Sequence, residues 1–200
     1  MTAAKLMELV SVEDYLAGEL VSEIKHEYLG GYVYAMAGAR NLHNRVATNW
    51  LLAMGSRLRG KPCEPFNSDT KVRISYPTYT QFYYPDGMIV CEPNPANETF
   101  QDKPVVIAEV VSESTRRIDE KEKRDAYVTI PSLMVYLLIE TDRPRVVVHR
   151  RTGEGFLAEV YEGTDVVVPL DAIEAELPLA ELYDRVDFES PRDEGTREAV

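Results

Sequence analysis

Several features are scarce in this chain, and each scarcity removes a class of protein. Only two of the 200 residues are cysteine, Cys63 and Cys91, 28 positions apart and without CxxC spacing. That usage argues against a disulfide-stapled secreted scaffold and predicts reduced thiols in a cytoplasmic protein. The three histidines, His26, His43 and His149, show no paired metal-ligand spacing, so a zinc site is not expected. Long apolar runs are missing as well. The longest, such as Val105–Ala108 and Met134–Ile139, are far too short to span a bilayer. The N-terminal Met-Thr-Ala-Ala-Lys-Leu-Met-Glu lacks the apolar centre of a secretion signal. Positive charge is also short, with 22 Lys and Arg against 34 Asp and Glu. The formal net charge of −12 disfavours strong non-specific binding to a phosphate backbone.

What is present is unevenly distributed. Residues 38–75 hold seven basic side chains (Arg40, Arg45, Arg57, Arg59, Lys61, Lys71 and Arg73) against Glu64 and Asp69. This local +5 leaves −17 for the rest of the chain, so it is where an anionic polymer such as DNA would dock. Ordinary solvated charges are the plainer reading of the same residues.

The length suits one domain, expected over 1–186, with a disordered acidic tail at 187–200. Ser11 with Asp14 predicts a capped helix carrying Val12, Tyr15, Leu16, Leu20 and Ile24 on one face. Gly30-Gly31 between short aromatic-rich arms predicts a hairpin. The i+4 series Leu42, Val46, Trp50 and Met54 predicts a long helix ending before Gly60. A short strand is expected around Lys71–Ile74. Two apolar strands follow, at 83–91 and 104–111, then a helix over 116–130 capped by Ser114 or Thr115. Met134–Glu140 reads as a strand buried on both faces. Strands at 145–150, 156–161 and 165–168 and a helix at 177–183 complete a mixed α/β or α+β domain. A parallel crossover is expected between the strand at 104–111 and the one at 134–140.

Each of the two apolar strands after residue 82 carries one carboxylate, Asp86 or Glu109. A carboxylate in such a run is costly to bury unless a cation pairs with it or a metal binds it. Phosphodiester hydrolysis uses a metal to neutralise phosphate and activate water, and Mg²⁺ is held by one or two carboxylates plus waters. Asp86 and Glu109 are therefore the candidate ligands for Mg²⁺ (or Mn²⁺). A nearby lysine would stabilise developing charge. At 100° per residue Lys121 and Lys123 lie about 160° apart. Ile118, Ala126, Tyr127 and Ile130 define the inward face, which includes Lys123 and excludes Lys121. Asp119 and Tyr127, four residues either side, would position Lys123. A turn role for Asp86, a structural Glu109–Lys123 ion pair and an ordinary helix role for His43 are the alternatives.

These motifs carry a resemblance. Pro-Asp at 85–86, then Glu-Val-Val-Ser-Glu-Ser-Thr from 109, Asp-x3-Lys-x3-Tyr from 119 and Ile-Pro-Ser-Leu-x2-Tyr-Leu-Leu from 130 resemble the Uma-type restriction endonuclease family. That family lies within the PD-(D/E)XK nuclease superfamily. The similarity reaches back through Glu27-Tyr-Leu-Gly-Gly and Ala35–Ala39 to His43, and forward to Leu179–Leu182. It implies a restriction-endonuclease-like core, with Asp86 and Glu109 as metal ligands and Glu27 as a further acidic position. Position 111 is Val where the superfamily motif has Lys, and Lys123 matches the branch whose lysine has moved to the following helix. The implied activity is metal-dependent hydrolysis of DNA phosphodiesters. A degenerate nuclease fold that binds without cutting is the alternative. Cleavage of two strands would suit a homodimer, with aromatic loops around Tyr76–Tyr84 as its expected contact.

Overall fold

The computed structural model describes residues 9–112 and 116–188. In chain order the elements are α1 (Val12–Glu19), β1 (His26–Leu29), β2 (Tyr32–Ala35), α2 (Asn41–Leu58), β3 (Glu64–Asn67), β4 (Lys71–Ser75), β5 (Thr80–Tyr83), β6 (Gly87–Val90), β7 (Phe100–Gln101) and β8 (Pro104–Val111). A π-helical segment (Ile118–Lys123) then runs into α3 (Arg124–Tyr127). β9 (Val135–Glu140), β10 (Arg145–Thr152), β11 (Gly155–Glu162), β12 (Val167–Leu170), β13 (Ala175–Pro178) and α4 (Leu179–Leu182) follow.

The centre is a mixed six-stranded sheet in the order β11-β10-β9-β8-β6-β3. β8 and β9 are parallel, joined by the expected helical crossover, and every residue of β9 is buried. Strand alternation divides the neighbouring side chains between two cores. Ile89, Val106, Ala108 and Val110 face α2, α4 and the β12–β13 hairpin. Met88, Val90, Ile107 and Val111 face α3 and a second, five-stranded sheet in the order β2-β1-β5-β4-β7. Glu109 shares the parity of Ile107 and Val111, so it points into this second core. The far side of the five-stranded sheet is closed by α1 through Tyr15, Tyr28, Phe82 and Phe100.

Two glycines explain local geometry. Gly30 and Gly31 have φ of +60° and +103°, and they close the β1–β2 hairpin in the left-handed region that other residues avoid. Gly87 lies beneath the Trp50 ring, and a Cβ there would come within 2.2 Å of it. The absence of a side chain at 87 is what lets α2 sit directly against β6.

Several expectations need correction. Cys63 and Cys91 form a disulfide rather than free thiols. Antiparallel pairing of Glu64 with Val90 sets the two cysteines opposite one another, just outside β3 and β6. Helix α1 stops at Glu19, and Leu20 and Ile24 lie exposed beyond it. The crossover helix ends at Tyr127, not 130, and its first part is π-helical. Ile118 is exposed, not inward-facing. Residues 177–178 belong to β13, so the last helix is only α4. Phe82, Tyr83 and Tyr84 are buried, which removes most of the aromatic surface expected to join two copies. The proposed caps Ser114 and Thr115, and residues 189–200 of the tail, lie outside the described residues.

Candidate active site

Antiparallel pairing of Gly87 with Ala108 brings Asp86 level with Glu109, across β6 and β8. The two carboxylates are tied through the backbone. The amide of Asp86 donates to Glu109 Oε2 at 3.3 Å, and the amide of Val110 donates to Asp86 Oδ2 at 2.7 Å. Asp86 is therefore not merely a turn residue after Pro85.

Lys123 enters the same space from the π-helical segment, while Lys121 is exposed. Its Nζ lies 3.2 Å from Glu109 Oε1, 3.3 Å from Glu27 Oε1 and 3.6 Å from Asp119 Oδ1. Tyr127 donates its hydroxyl to Glu109 Oε1 at 2.8 Å. The backbone carbonyl of Asp119 accepts from the Tyr136 hydroxyl at 2.9 Å, which fixes the start of the segment. From the N-terminal turn of α2, His43 Nε2 reaches Asp86 Oδ2 at 3.1 Å. All seven predicted residues of the core constellation thus meet: Glu27, His43, Asp86, Glu109, Asp119, Lys123 and Tyr127.

The charges in this cluster do not balance. Glu109, Asp119 and Lys123 are almost fully buried. One ammonium serves three carboxylates, and the fourth, Asp86, is met by the His43 imidazole. Burial, with Asp86 and Asp119 adding to it, pushes the Glu109 carboxyl well above its ordinary value despite the attraction of Lys123. Burial likewise raises Glu27 against the pull of Lys123. Burial alone would lower Lys123, but Glu109, Glu27 and Asp119 outweigh it and hold the ammonium above the ordinary lysine value. The imidazole of His43 loses by burial and gains more from Asp86, so it too is raised. A buried site with this surplus of negative charge is suited to a cation.

The donor set fits one hard divalent ion with water completing its shell. Asp86 and Glu109 present carboxylate oxygens to each other's side of the β6–β8 pair. Among the described residues no group of three or more His, Cys, Asp or Glu side chains is arranged as a metal cage. Two carboxylates with several retained waters is the usual protein share of Mg²⁺ coordination.

Sequence reasoning missed Tyr83. Its ring lies 6.0 Å below Lys123 Nζ and edge-on to Tyr127, and its buried hydroxyl has no hydrogen-bond partner among the described residues. Position alone, three residues before Asp86, was the available signal. Also missed was a network behind the site. Glu19 accepts from the Tyr84 hydroxyl at 2.7 Å and from the His26 amide at 3.2 Å, steadying the residues next to Pro85-Asp86 and Glu27.

The basic segment behaves differently from its composition. Arg57 is paired with Glu181, and Arg73 with Asp102. Lys71 is buried against the Tyr84 hydroxyl. Lys61 and Arg45 donate to the carbonyls of Glu174 and Arg185. Of the seven, only the side chains of Arg40 and Arg59 make no hydrogen bond or ion pair among the described residues. The segment is not the free basic face that the charge count implied. No helix among those residues is long and apolar enough to cross a membrane.

A mixed sheet with carboxylates on adjoining strands, and a lysine delivered by the crossover, places the chain in the nuclease-like α/β class. A crystal structure described as "a putative nuclease belonging to DUF820" from Anabaena variabilis shares this fold. It does so with a TM-score of 0.65 and 16% sequence identity, over 81% of this chain and 91% of that one. The chain belongs to the Uma2 family, described as "Putative restriction endonuclease", whose match covers residues 12–182. Two uncharacterized proteins of Synechocystis sp., slr1290 and sll1609, are similar to it. They are 32% and 29% identical, over 78% and 77% of this chain and 82% and 88% of their own lengths.

Proposed function

We propose that this protein is a metal-dependent endonuclease that hydrolyses phosphodiester bonds in DNA, with Asp86 and Glu109 holding Mg²⁺ (or Mn²⁺). The observation that carries the proposal is the charge deficit of the buried cluster, in which Lys123 is shared among Glu109, Glu27 and Asp119 while Asp86 stands opposite. The bound ion would neutralise the phosphate and lower the pKa of a water. Tyr127 and the Asp86 amide fix the two oxygens of Glu109 in direction. Lys123, kept protonated by its three carboxylates, directs a fixed positive charge at the oxygen where negative charge develops. His43 fixes Asp86 from the α2 side and can take up or release a proton at Nε2.

The test joins binding to turnover. Calorimetric titration with Mn²⁺ should show binding that Asp86→Ala or Glu109→Ala abolishes. A cleavage assay on single-stranded and duplex DNA should show activity that depends on Mg²⁺ or Mn²⁺. Unchanged Mn²⁺ affinity in both variants would remove the metal assignment. Intact metal binding without cleavage of any DNA would leave a binding module.

A further inference from the structure

The β1–β2 hairpin carries more than Glu27. Register pairs Glu27 with Tyr34 and Leu29 with Tyr32. Directly opposed residues of an antiparallel pair project from the same face, with Cβ atoms roughly 4.5–5.5 Å apart. Glu27 uses that face to reach Lys123, so Tyr34 and Tyr32 project on the side of the carboxylate–lysine cluster. β2 is the outer edge of its sheet. Tyr32 is 46% exposed and Tyr34 52% exposed, and neither side chain makes a hydrogen bond or ring contact among the described residues.

Two exposed rings beside a buried charged cluster are costly to leave in water and have no structural partner to explain them. Their chemistry favours a planar ligand. Residues two apart on a strand are separated by ~6.8 Å, twice the ~3.4 Å spacing of successive bases along a nucleic-acid strand. A base can therefore enter between the two side chains and be faced by both. The chain continues from β2 to Arg40, which is exposed and unpaired among the described residues, at the N-terminus of α2. His43, three residues on, touches Asp86. A strand stacked on the tyrosines would thus have a cation for its backbone and the carboxylate pair within one short path.

We propose that Tyr32 and Tyr34 form a stacking platform for unpaired bases of a single nucleic-acid strand beside the Asp86–Glu109–Lys123 cluster. The proposal rests on the nuclease reading and sharpens it. A duplex keeps its bases stacked on each other, whereas a single strand, a frayed end or a flipped nucleotide offers free faces to aromatic rings.

The experiment measures binding apart from cleavage. Fluorescence anisotropy of a labelled single-stranded oligonucleotide and of its duplex is recorded with EDTA present, for wild type and for Tyr32→Ala, Tyr34→Ala, the double Ala variant and the matching Phe and Leu variants. The expected result is single-strand affinity lowered about 5- to 150-fold for each stacking ring removed. Phe should retain affinity and Leu should not, because Leu keeps apolar bulk without a ring face. Duplex affinity should change by less than twofold. Mn²⁺ binding in every variant should match wild type, which reports an undisturbed cluster. Equal single-strand affinity in wild type and the double Ala variant overturns the platform, as does full retention by Leu. A wild type that binds no oligonucleotide overturns it too. A change in light-scattering mass with unchanged oligonucleotide affinity would make this edge a self-association surface instead. If oligonucleotide binding follows the predicted pattern while no DNA is ever cleaved, the platform stands and the nuclease reading falls.

Discussion

Glu109 and Glu140 occupy neighbouring parallel strands, β8 and β9, and both are almost completely buried. Their surroundings differ in one respect. Glu140 is met by two guanidiniums: Arg116 grips it with two nitrogens, and Arg145 adds a contact at 3.0 Å. Glu109 shares a single ammonium with Glu27 and Asp119 and faces Asp86. With Glu120 also on Arg116, two guanidiniums match two carboxylates at one strand, while the same residue type at similar depth is left under-neutralised on the next. A structural carboxylate is given its counter-charge by the fold. On the proposed function, the one left short of counter-charge is where an ion or substrate would arrive.

The comparison can be broken at either end. The largest effect should come from Lys123→Ala, which lowers the DNA cleavage rate about a hundred- to a thousand-fold, or ~2.7–4 kcal/mol. Lys121→Ala should stay within twofold in the same assay, and an inactive Lys121 variant would reverse the assignment. On the other strand, Glu140→Ala should cost about 3 kcal/mol in chemical denaturation, the low end for a broken buried pair, because both arginines are partly exposed. Glu109→Gln should cost less than about 1 kcal/mol, or stabilise, while abolishing Mn²⁺ binding. Equal losses from the two changes would erase the distinction. Gly87→Ala should destabilise by ~1–3 kcal/mol, because Trp50 must move to admit a methyl group.

The smallest effect is in pH. The folded-state pKa of Glu109 lies above its ordinary 4.5, so between the unfolded and folded values the folded protein holds a proton there that the unfolded chain has released. The associated stability is fully present below about pH 4.5 and is lost as pH rises through the folded value. Metal-free wild type should therefore lose part of its denaturation free energy across that window. Glu109→Gln should show a flatter profile. An identical slope in both proteins would mean that Glu109 is not the titrating group.

How much of this could be read in advance follows from the range of the forces involved. Asp86 and Glu109 stood out because strand burial is written locally, in the apolar residues on either side. Lys123 was separated from Lys121 by an α-helical phase, although the segment is π-helical. Two residues along either kind of helix still lie on roughly opposite sides, so Lys123 points inward and Lys121 outward as the phase implied, while Ile118 is exposed. The disulfide was invisible because it depends on β3, a four-residue strand containing Pro65 with no apolar alternation to announce it. The basic segment misled for a related reason. The partners of Arg57 and Arg73 lie 124 and 29 residues away, and a count along the chain cannot see them.

The contact between Trp50 and Gly87 has a practical consequence. Trp50 is the chain's single tryptophan, and its indole is buried on the residue that follows Asp86. Its Nε1 has no hydrogen-bond partner among the described residues, so the tryptophan emission originates from a buried chromophore one residue from the carboxylate pair. The molecule carries its own optical probe at that strand, and a shift in its intrinsic fluorescence on adding cation would register there without any label.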